Sequence, residues 1–505
     1  MGLIAPLGID LNAVMEAIQS SLKNVSYATN EVRLTDLIRG YKHLFDLSYK
    51  NDVERYERYI RAGDALCSKT GQRDVFALYG IASLSKGGGR SSEDQLPEAV
   101  VHVFRQLKRT EEIRTLKEVY GRNILMVGCY SPRSRRVDHL VRDMLKTSRG
   151  VVRKKLEAQA LEIMATDEEE RDDPNGQRVL ECFPFADFVL DCTSSDTLAK
   201  SVDRMVRVFF GHPFISPSKD EYCSYIANAA AYRSLDLSRQ VGAAIIGPDC
   251  ELISVGCNEV PRAGGGTYWA DEGEDARDYT LGYDSNQRVR EDMARDALLK
   301  LQEDHWLTKP DDQLPDALVS EAFGTKKNPG PFARAMMADV IEYGRMVHAE
   351  MNALTDAARF RRTTKNATLY CTTMPCHMCA KLIVAAGVNR VVYVQPYGKS
   401  LVEELFIDSI AVDEPGVRGR VSFETLKGVT PNGFKRAFHK PERRKTDDGK
   451  ALHWVPNESK PIFLSTFPYY LPLEAKAIED LREALERLVD PQSELDLGVV
   501  SENGE

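Results

Sequence analysis

The sequence predicts an α/β protein of two units joined near residues 212–218. Three observations carry that prediction. From residue 4 to residue 210, apolar runs alternate with helical stretches, the pattern of a parallel sheet covered by helices. Pro213 and Pro217 then interrupt it. Beyond them come a helix, a hairpin, and helix–strand pairs that begin at two groups of histidine and cysteine.

The composition bounds the class. A chain of 505 residues holds two or three domains, each with its own core. With 43% hydrophobic and 28% charged residues it reads as globular and soluble. A formal net charge of −9 argues against a broad nucleic-acid surface. The 10 cysteines show no disulfide framework, so a reducing cytoplasm is expected. No apolar run approaches the ~18 residues of a membrane span. Residues 1–11 lack the basic start of a secretory signal.

The first unit opens with Gly2-Leu3-Ile4, a Pro/Gly loop and a helical pattern over residues 11–22, hence strand–loop–helix. A phosphate-binding loop would sit there, but the lysine and hydroxyl of G-x-x-x-x-G-K-[ST] are missing. Asp10 would set a negative charge beside a phosphate. Two readings stay open: a degenerate nucleotide-binding loop contacting its ligand through Gly8 and Asp10, or an ordinary strand–turn–helix.

Residues 51–82 read as helical, and 83–95 as a polar loop carrying Lys86-Gly87-Gly88-Gly89-Arg90. Strands are expected over 99–107 and 123–129, around a helix at 111–120. Ser131-Pro132-Arg133-Ser134-Arg135-Arg136 is a phosphate-facing loop or a solvated turn. One long charged helix over 137–170, a strand at 185–191 and a helix at 194–210 complete the unit.

The second unit begins with an alanine-rich helix over 222–234. Strands at 241–246 and 251–256 form a hairpin around Gly247-Pro248-Asp249, and Asn258 stands at its exit. Residues 261–327 are an insertion expected to cover the site, with Tyr268 and Trp269 stacking on a base or packing the loop. A helix at 351–362, a second that starts at Pro375 and continues through 381–387, and a third at 401–408 alternate with strands at 367–373, 390–394 and 421–427. A basic loop at 440–450, an amphipathic helix at 473–488 and an acidic, disordered tail after 490 end the chain.

The chemistry lies in His348-Ala349-Glu350 and Pro375-Cys376-His377-Met378-Cys379. One imidazole and two thiolates make a zinc set of three, and three protein ligands leave a place for water. Cys376 and Cys379 are three apart and share a helix face. Pro375 suits a helix start, where free N–H groups favour thiolates. Glu350 is the natural proton shuttle for a water made acidic by the metal. A structural Cys/His knuckle would want a fourth ligand, and a redox Cys-x-x-Cys pair would not need His-x-Glu before a helix.

These motifs resemble the cytidine deaminase superfamily, in its deoxycytidylate deaminase branch. The resemblance also rests on Arg239-Gln240-Val241-Gly242-Ala243, Gly256-Cys257-Asn258 and Thr372-Thr373-Met374. It implies a three-layer α/β/α sandwich, Zn2+ on His348, Cys376 and Cys379, catalysis by Glu350, and substrate contacts at Asn258, to the deoxyribose, and at Ala349.

The whole chain is similar to bacterial anti-phage dCTP/dCMP deaminases. That similarity is carried by Ala186-Asp187-Phe188-Val189-Leu190-Asp191, by Arg233 to Gly242, by Tyr393 to Ser400 and by Gly264 to Trp269. It implies a degenerate P-loop kinase-like parallel α/β domain over 1–212, the deaminase over 219–440 and an extension over 441–505. It further implies deamination of dCTP or dCMP that starves phage replication, a second nucleotide at the N-terminal domain, a homo-oligomer and, in some members, an inhibitory RNA. Arg262, Arg277 and Lys399 are the candidate phosphate contacts. The competing readings are a cytosine deaminase of single-stranded RNA or DNA, and a nucleotide-sensing regulator with a structural zinc.

Overall fold

The computed structural model describes residues 1–86, 99–148, 150–168, 170, 173, 175–271, 273, 275–306, 315–325, 330–398, 400–440, 442–462 and 469–488. Residues 87–90 of the glycine-rich loop, Lys399 and the acidic tail lie outside them.

The first sheet contains β1 (Gly2–Ile4), β2 (Ala28–Arg33), β3 (Val100–Leu107), β4 (Met126–Tyr130) and β5 (Phe188–Asp191), in the spatial order β5-β4-β1-β3-β2 and all parallel. Period-two alternation sends Leu3, Val127 and Phe188 to one face and Ile4, Met126 and Val189 to the other, into separate apolar cores. Helices cover both faces. The second sheet has β6 (Gly242–Ile246), β7 (Leu252–Cys257), β8 (Thr368–Thr373), β9 (Arg390–Gln395), β10 (Ile410–Val412) and β11 (Val421–Thr425), in the order β10-β11-β9-β8-β6-β7. Here β6 is antiparallel to both neighbours, as the predicted hairpin requires. On β6, Ala243 and Ile245 face the helices Ala349–Arg359 and His377–Ala385, while Ala244 and Ile246 face the helix Lys219–Ala231. The mixed α/β class therefore holds, with two sheets.

Several details differ from the sequence reading. The strand β2 was not expected. Its residues Ala-Thr-Asn-Glu-Val-Arg are mostly polar because it is an edge strand. The long helix expected over 137–170 is two helices, Arg133–Thr147 and Arg153–Glu168, packed on each other. The helical stretch 51–82 also divides, at Gly71, whose φ of +68° ends the helix Asp52–Thr70. The 401–408 helix shrinks to Val402–Leu405.

The two sheets are continuous in chain. From β11 the backbone passes to β12 (Gly428–Val429), which adds antiparallel to β5 of the first sheet. The following helix Pro431–Phe438 stays there: Thr430 Oγ1 donates to Ala186 O and Arg436 donates to Ile124 O at 2.9 Å. Helix Leu471–Glu486 buries Ala477 and Leu481 in the first unit's core. Among the described residues, no helix is long and apolar enough to cross a membrane.

Candidate metal centre and active site

Each half of the site sits at a helix start because the local sequence stops the helix there. His348 is extended (φ −62°, ψ 154°) and caps the helix Ala349–Arg359. Cys376 is likewise extended, follows Pro375 and caps His377–Ala385, with Cys379 in that helix's first turn. Both helices pack on the same face of the second sheet, so the two halves meet.

His348 Nδ1 lies 3.4 Å from the Cys376 sulfur and 3.4 Å from the Cys379 sulfur. Zn–N and Zn–S bonds set at the tetrahedral angle would place such donors roughly 3.5 Å apart. The nitrogen and two sulfurs thus already stand at the spacing that zinc imposes. Cys376 and Cys379 are 6% and 0% exposed. Among the described residues, these three are the whole cluster of ligating side chains. His377 turns away, with Nε2 3.4 Å from Glu342 Oε1, and Cys371 is a fully buried core residue of β8. Neither serves as a fourth ligand.

The three donors share protons that a bound cation would displace. The Cys379 thiol hydrogen-bonds to the Cys376 sulfur, which holds the Cys376 thiol down to about 4 against the effect of burial; His348 and the Cys379 N–H assist. The same hydrogen bond, with burial, pushes Cys379 up. At His348 burial opposes the charged ring, and the bond to Cys376 more than offsets it. Glu350 Oε2 lies 3.4 Å from the Cys379 sulfur, and the carboxyl is 4% exposed. Burial first, then the Cys376 charge, raises its pKa above the usual carboxylate range. A buried carboxyl with a raised pKa, beside a metal-ligating cluster, is placed to act as a general acid–base.

Asn258, at the exit of β7, is 6% exposed and spends both ends of its amide on backbone. The Val241 N–H donates to Oδ1 at 2.7 Å, and Nδ2 donates to Arg239 O at 2.7 Å. It fixes residues 239–241, where Arg239 stacks 4.9 Å from the Tyr397 ring. Ala349 is fully buried, and its carbonyl lies 2.3 Å from where a side chain on Gly256 would begin. That glycine lets the metal-bearing helix lie on β7. Asn352 donates to Cys257 O at 2.9 Å and fixes the same contact.

The insertion supports the segment that enters His348. Asn286 donates to Val340 O at 2.8 Å, and Arg345 pairs with Asp278 at 2.8 Å. Trp269 stacks on the Arg233 guanidinium at 4.1 Å. Arg277, a candidate phosphate contact, is instead 4% exposed and paired with Asp275 and Glu259. Arg262 is exposed.

Two contacts escaped the sequence reading. Ser400 Oγ donates to Pro375 O at 2.9 Å, setting the loop before Cys376. Glu259, fully buried, takes the Leu235 N–H at 3.1 Å. Nothing in their sequence neighbourhood marks either contact, because both partners are distant backbone groups.

In the first unit, Gly8 has φ +88° and packs so closely that a Cβ would fall 2.5 Å from Arg136 O. Asp10 accepts the Asn12 and Ala13 N–H groups as a helix cap. Of the basic cluster, Arg136 is buried and paired with Glu168 at 2.7 Å, while Arg133 and Arg135 are exposed.

A site of one imidazole, two thiolates and a buried carboxylic acid defines a class: a zinc centre equipped for hydrolytic chemistry. Residues 217–395 match the family described as the cytidine and deoxycytidylate deaminase zinc-binding region. With the donor set above, that match makes zinc the cofactor of this site. The chain is 53% identical over 51 residues to deoxycytidylate deaminase of Saccharomyces cerevisiae, covering 10% of this chain and 16% of that protein. It is 35% identical over 77 residues to ComE operon protein 2 of Bacillus subtilis, covering 14% and 41%. The chain thus spans less than half the length of either relative. A crystal structure of dCMP deaminase from cyanophage S-TIM5, in complex with dCMP and dUMP, aligns over 42% of this chain and 100% of that one, at 16% identity. Its TM-score of 0.23 is too low to bear on the fold.

Proposed function

We propose that the chain hydrolytically deaminates a deoxycytidine nucleotide, dCMP or dCTP, to the deoxyuridine nucleotide and ammonia. The observation that carries this reading is Glu350: a buried carboxyl 3.4 Å from a ligating sulfur, two positions after a ligating histidine. Zinc supplies Lewis acidity, making water a nucleophile near neutral pH. Glu350, as the carboxylate, would take the two protons that the water gives up one after the other and pass one to the ring N3 and the other to the departing amine, so that cytosine plus water becomes uracil plus ammonia. Asn258 keeps the 239–241 wall in place, on the side where a deoxyribose would lie.

The similarity of the whole chain to anti-phage deaminases supports a wider role, depletion of the deoxycytidine nucleotide pool during infection, by an oligomer in the cytoplasm. It also supports a nucleotide bound by the N-terminal unit.

The test is incubation of the zinc-loaded protein with dCMP, dCTP, CTP and cytidine, with products read by mass. Conversion of dCMP or dCTP that is lost in Glu350→Ala is expected. Conversion of single-stranded DNA or RNA alone would overturn the nucleotide reading.

A further inference from the structure

Three amides of the loop after β1 and the helix start that follows it are already taken by side-chain carboxylates. The Leu7 N–H donates to Asp167 Oδ2 at 2.8 Å, and the Asn12 and Ala13 N–H groups donate to Asp10 at 3.1 and 3.0 Å. Asp167 is fully buried and also accepts Lys108 Nζ at 2.6 Å, whose other bond goes to Ala5 O at 2.7 Å. The chain's own carboxylates thus occupy these amides, with the charge of Asp167 met by Lys108 and that of Asp10 left facing any phosphate brought there.

Beside that loop, at the carboxyl ends of β1, β2 and β3, lies a cavity of about 520 Å³. Cavities of about 300–1,000 Å³ suit small ligands, and this end of a parallel sheet is where ligands bind. The cavity is lined by Arg33, Arg39, Arg55 and Arg105, with Tyr56 and Tyr59 on its wall. Arg33 and Arg105 share one carboxylate, Glu31, at 2.9 and 2.7 Å. Arg39 pairs with Asp36 at 3.0 Å and Arg55 with Asp52 at 2.8 Å. Four guanidiniums therefore meet three carboxylates outside the cavity; Asp10, Glu112 and Asp143 line it too, against the further cations Lys108 and Arg109, and Glu112 is already held by the Lys108 and Arg109 backbone N–H groups at 2.8 and 3.2 Å. Such partly exposed pairs hold by only about 0–1 kcal/mol each, so an incoming phosphate displaces them at little cost. Guanidinium forks match phosphate oxygens in pairs, and a tyrosine ring offers a face for a base.

We propose that this cavity is the nucleotide site of the N-terminal unit, with the phosphates held by Arg33, Arg39 and Arg105 and not by the loop at Gly8 and Asp10. The proposal rests on the reading that this unit binds a second nucleotide. It is independent of the deaminase chemistry, because binding is measured without turnover.

The test is calorimetric titration of the full zinc-loaded chain with ATP, with GTP and with inorganic triphosphate. Arg33→Ala and Arg39→Ala are suitable variants, since these side chains are 52% and 59% exposed and their loss is expected to leave the fold intact. Thermal melts check that they do. The expected result is binding of at least one nucleotide, weakened about tenfold or more in each arginine variant, the worth of one charge-assisted hydrogen bond. Asp10→Asn should bind within about twofold of the parent, since it keeps a capping oxygen. No binding of any probe, equal affinity in the arginine variants, or loss in Asp10→Asn alone would each overturn it. Binding of triphosphate without a preference for a nucleotide would overturn the nucleotide assignment.

Discussion

The Cys379 sulfur and the Glu350 carboxylate oxygen lie 3.4 Å apart, although 29 positions separate them in the chain. This contact ties the proton carrier to the metal ligands. Replacing Glu350 with glutamine keeps the shape and removes the proton transfer. The expected loss in kcat is about 10²–10⁴-fold, with zinc content unchanged by elemental analysis. An active Glu350→Gln protein would show that another group carries the proton.

The three ligands should behave as one set. Cys376→Ser or Cys379→Ser should leave less than one zinc per chain, and a chelator should remove both zinc and activity from the parent, with return on adding zinc. The same variants should also melt lower, since the metal holds two helix starts together.

Asn258 should act through the wall it supports. Asn258→Ala leaves the Val241 N–H and the Arg239 carbonyl without their partner, at a cost of about 1–3 kcal/mol. The melting temperature should fall. KM for dCMP should rise more than kcat falls, because the chemistry at Glu350 is untouched. An unchanged KM would deny it a place at the substrate.

Asp413 predicts a pH effect away from the metal. It is half-buried, with φ +57° and one buried oxygen unbonded. Burial raises its pKa to about 6, against the pull of Tyr130, Lys427 and Arg136 and with the push of Glu403. The folded state therefore binds its proton more tightly than the unfolded chain does. Its contribution to stability is full below the ordinary value of 3.8 and falls as pH rises through about 6. Asp413→Asn, which tolerates the same backbone, should stabilise the protein by about 2 kcal/mol at pH 8 and by nothing near pH 4. Denaturant melts at the two pH values read the difference.

The union of the two sheets gives a last prediction. Glu221, 1% exposed at the start of the Lys219–Ala231 helix, takes the Val429 N–H at 2.9 Å and pairs with Arg204 at 2.5 Å. It thereby joins β12, the second unit and a helix of the first. Glu221→Ala should cost about 3 kcal/mol, and residues 1–212 expressed alone should aggregate or melt without cooperativity, seen by circular dichroism. A sharp melt of that fragment would show that β12 is dispensable.

The sequence by itself determined the metal set, the proton carrier, the hairpin before Asn258 and the alternation of strands and helices. These are local patterns: spacing along one helix start, turn residues, and periodicity within a single element. Only the tertiary structure decided which faraway groups meet. It turned Arg277 into a buried ion pair, gave Asp10 to a helix cap, and placed Asp167 under the loop after β1. It also sent Gly428 and Val429 back to a sheet begun at residue 2. Hydrogen bonds to distant backbone leave no mark in the pattern of side chains, because any residue supplies the backbone group. The charges that look free in a sequence are free only where the fold brings them no partner.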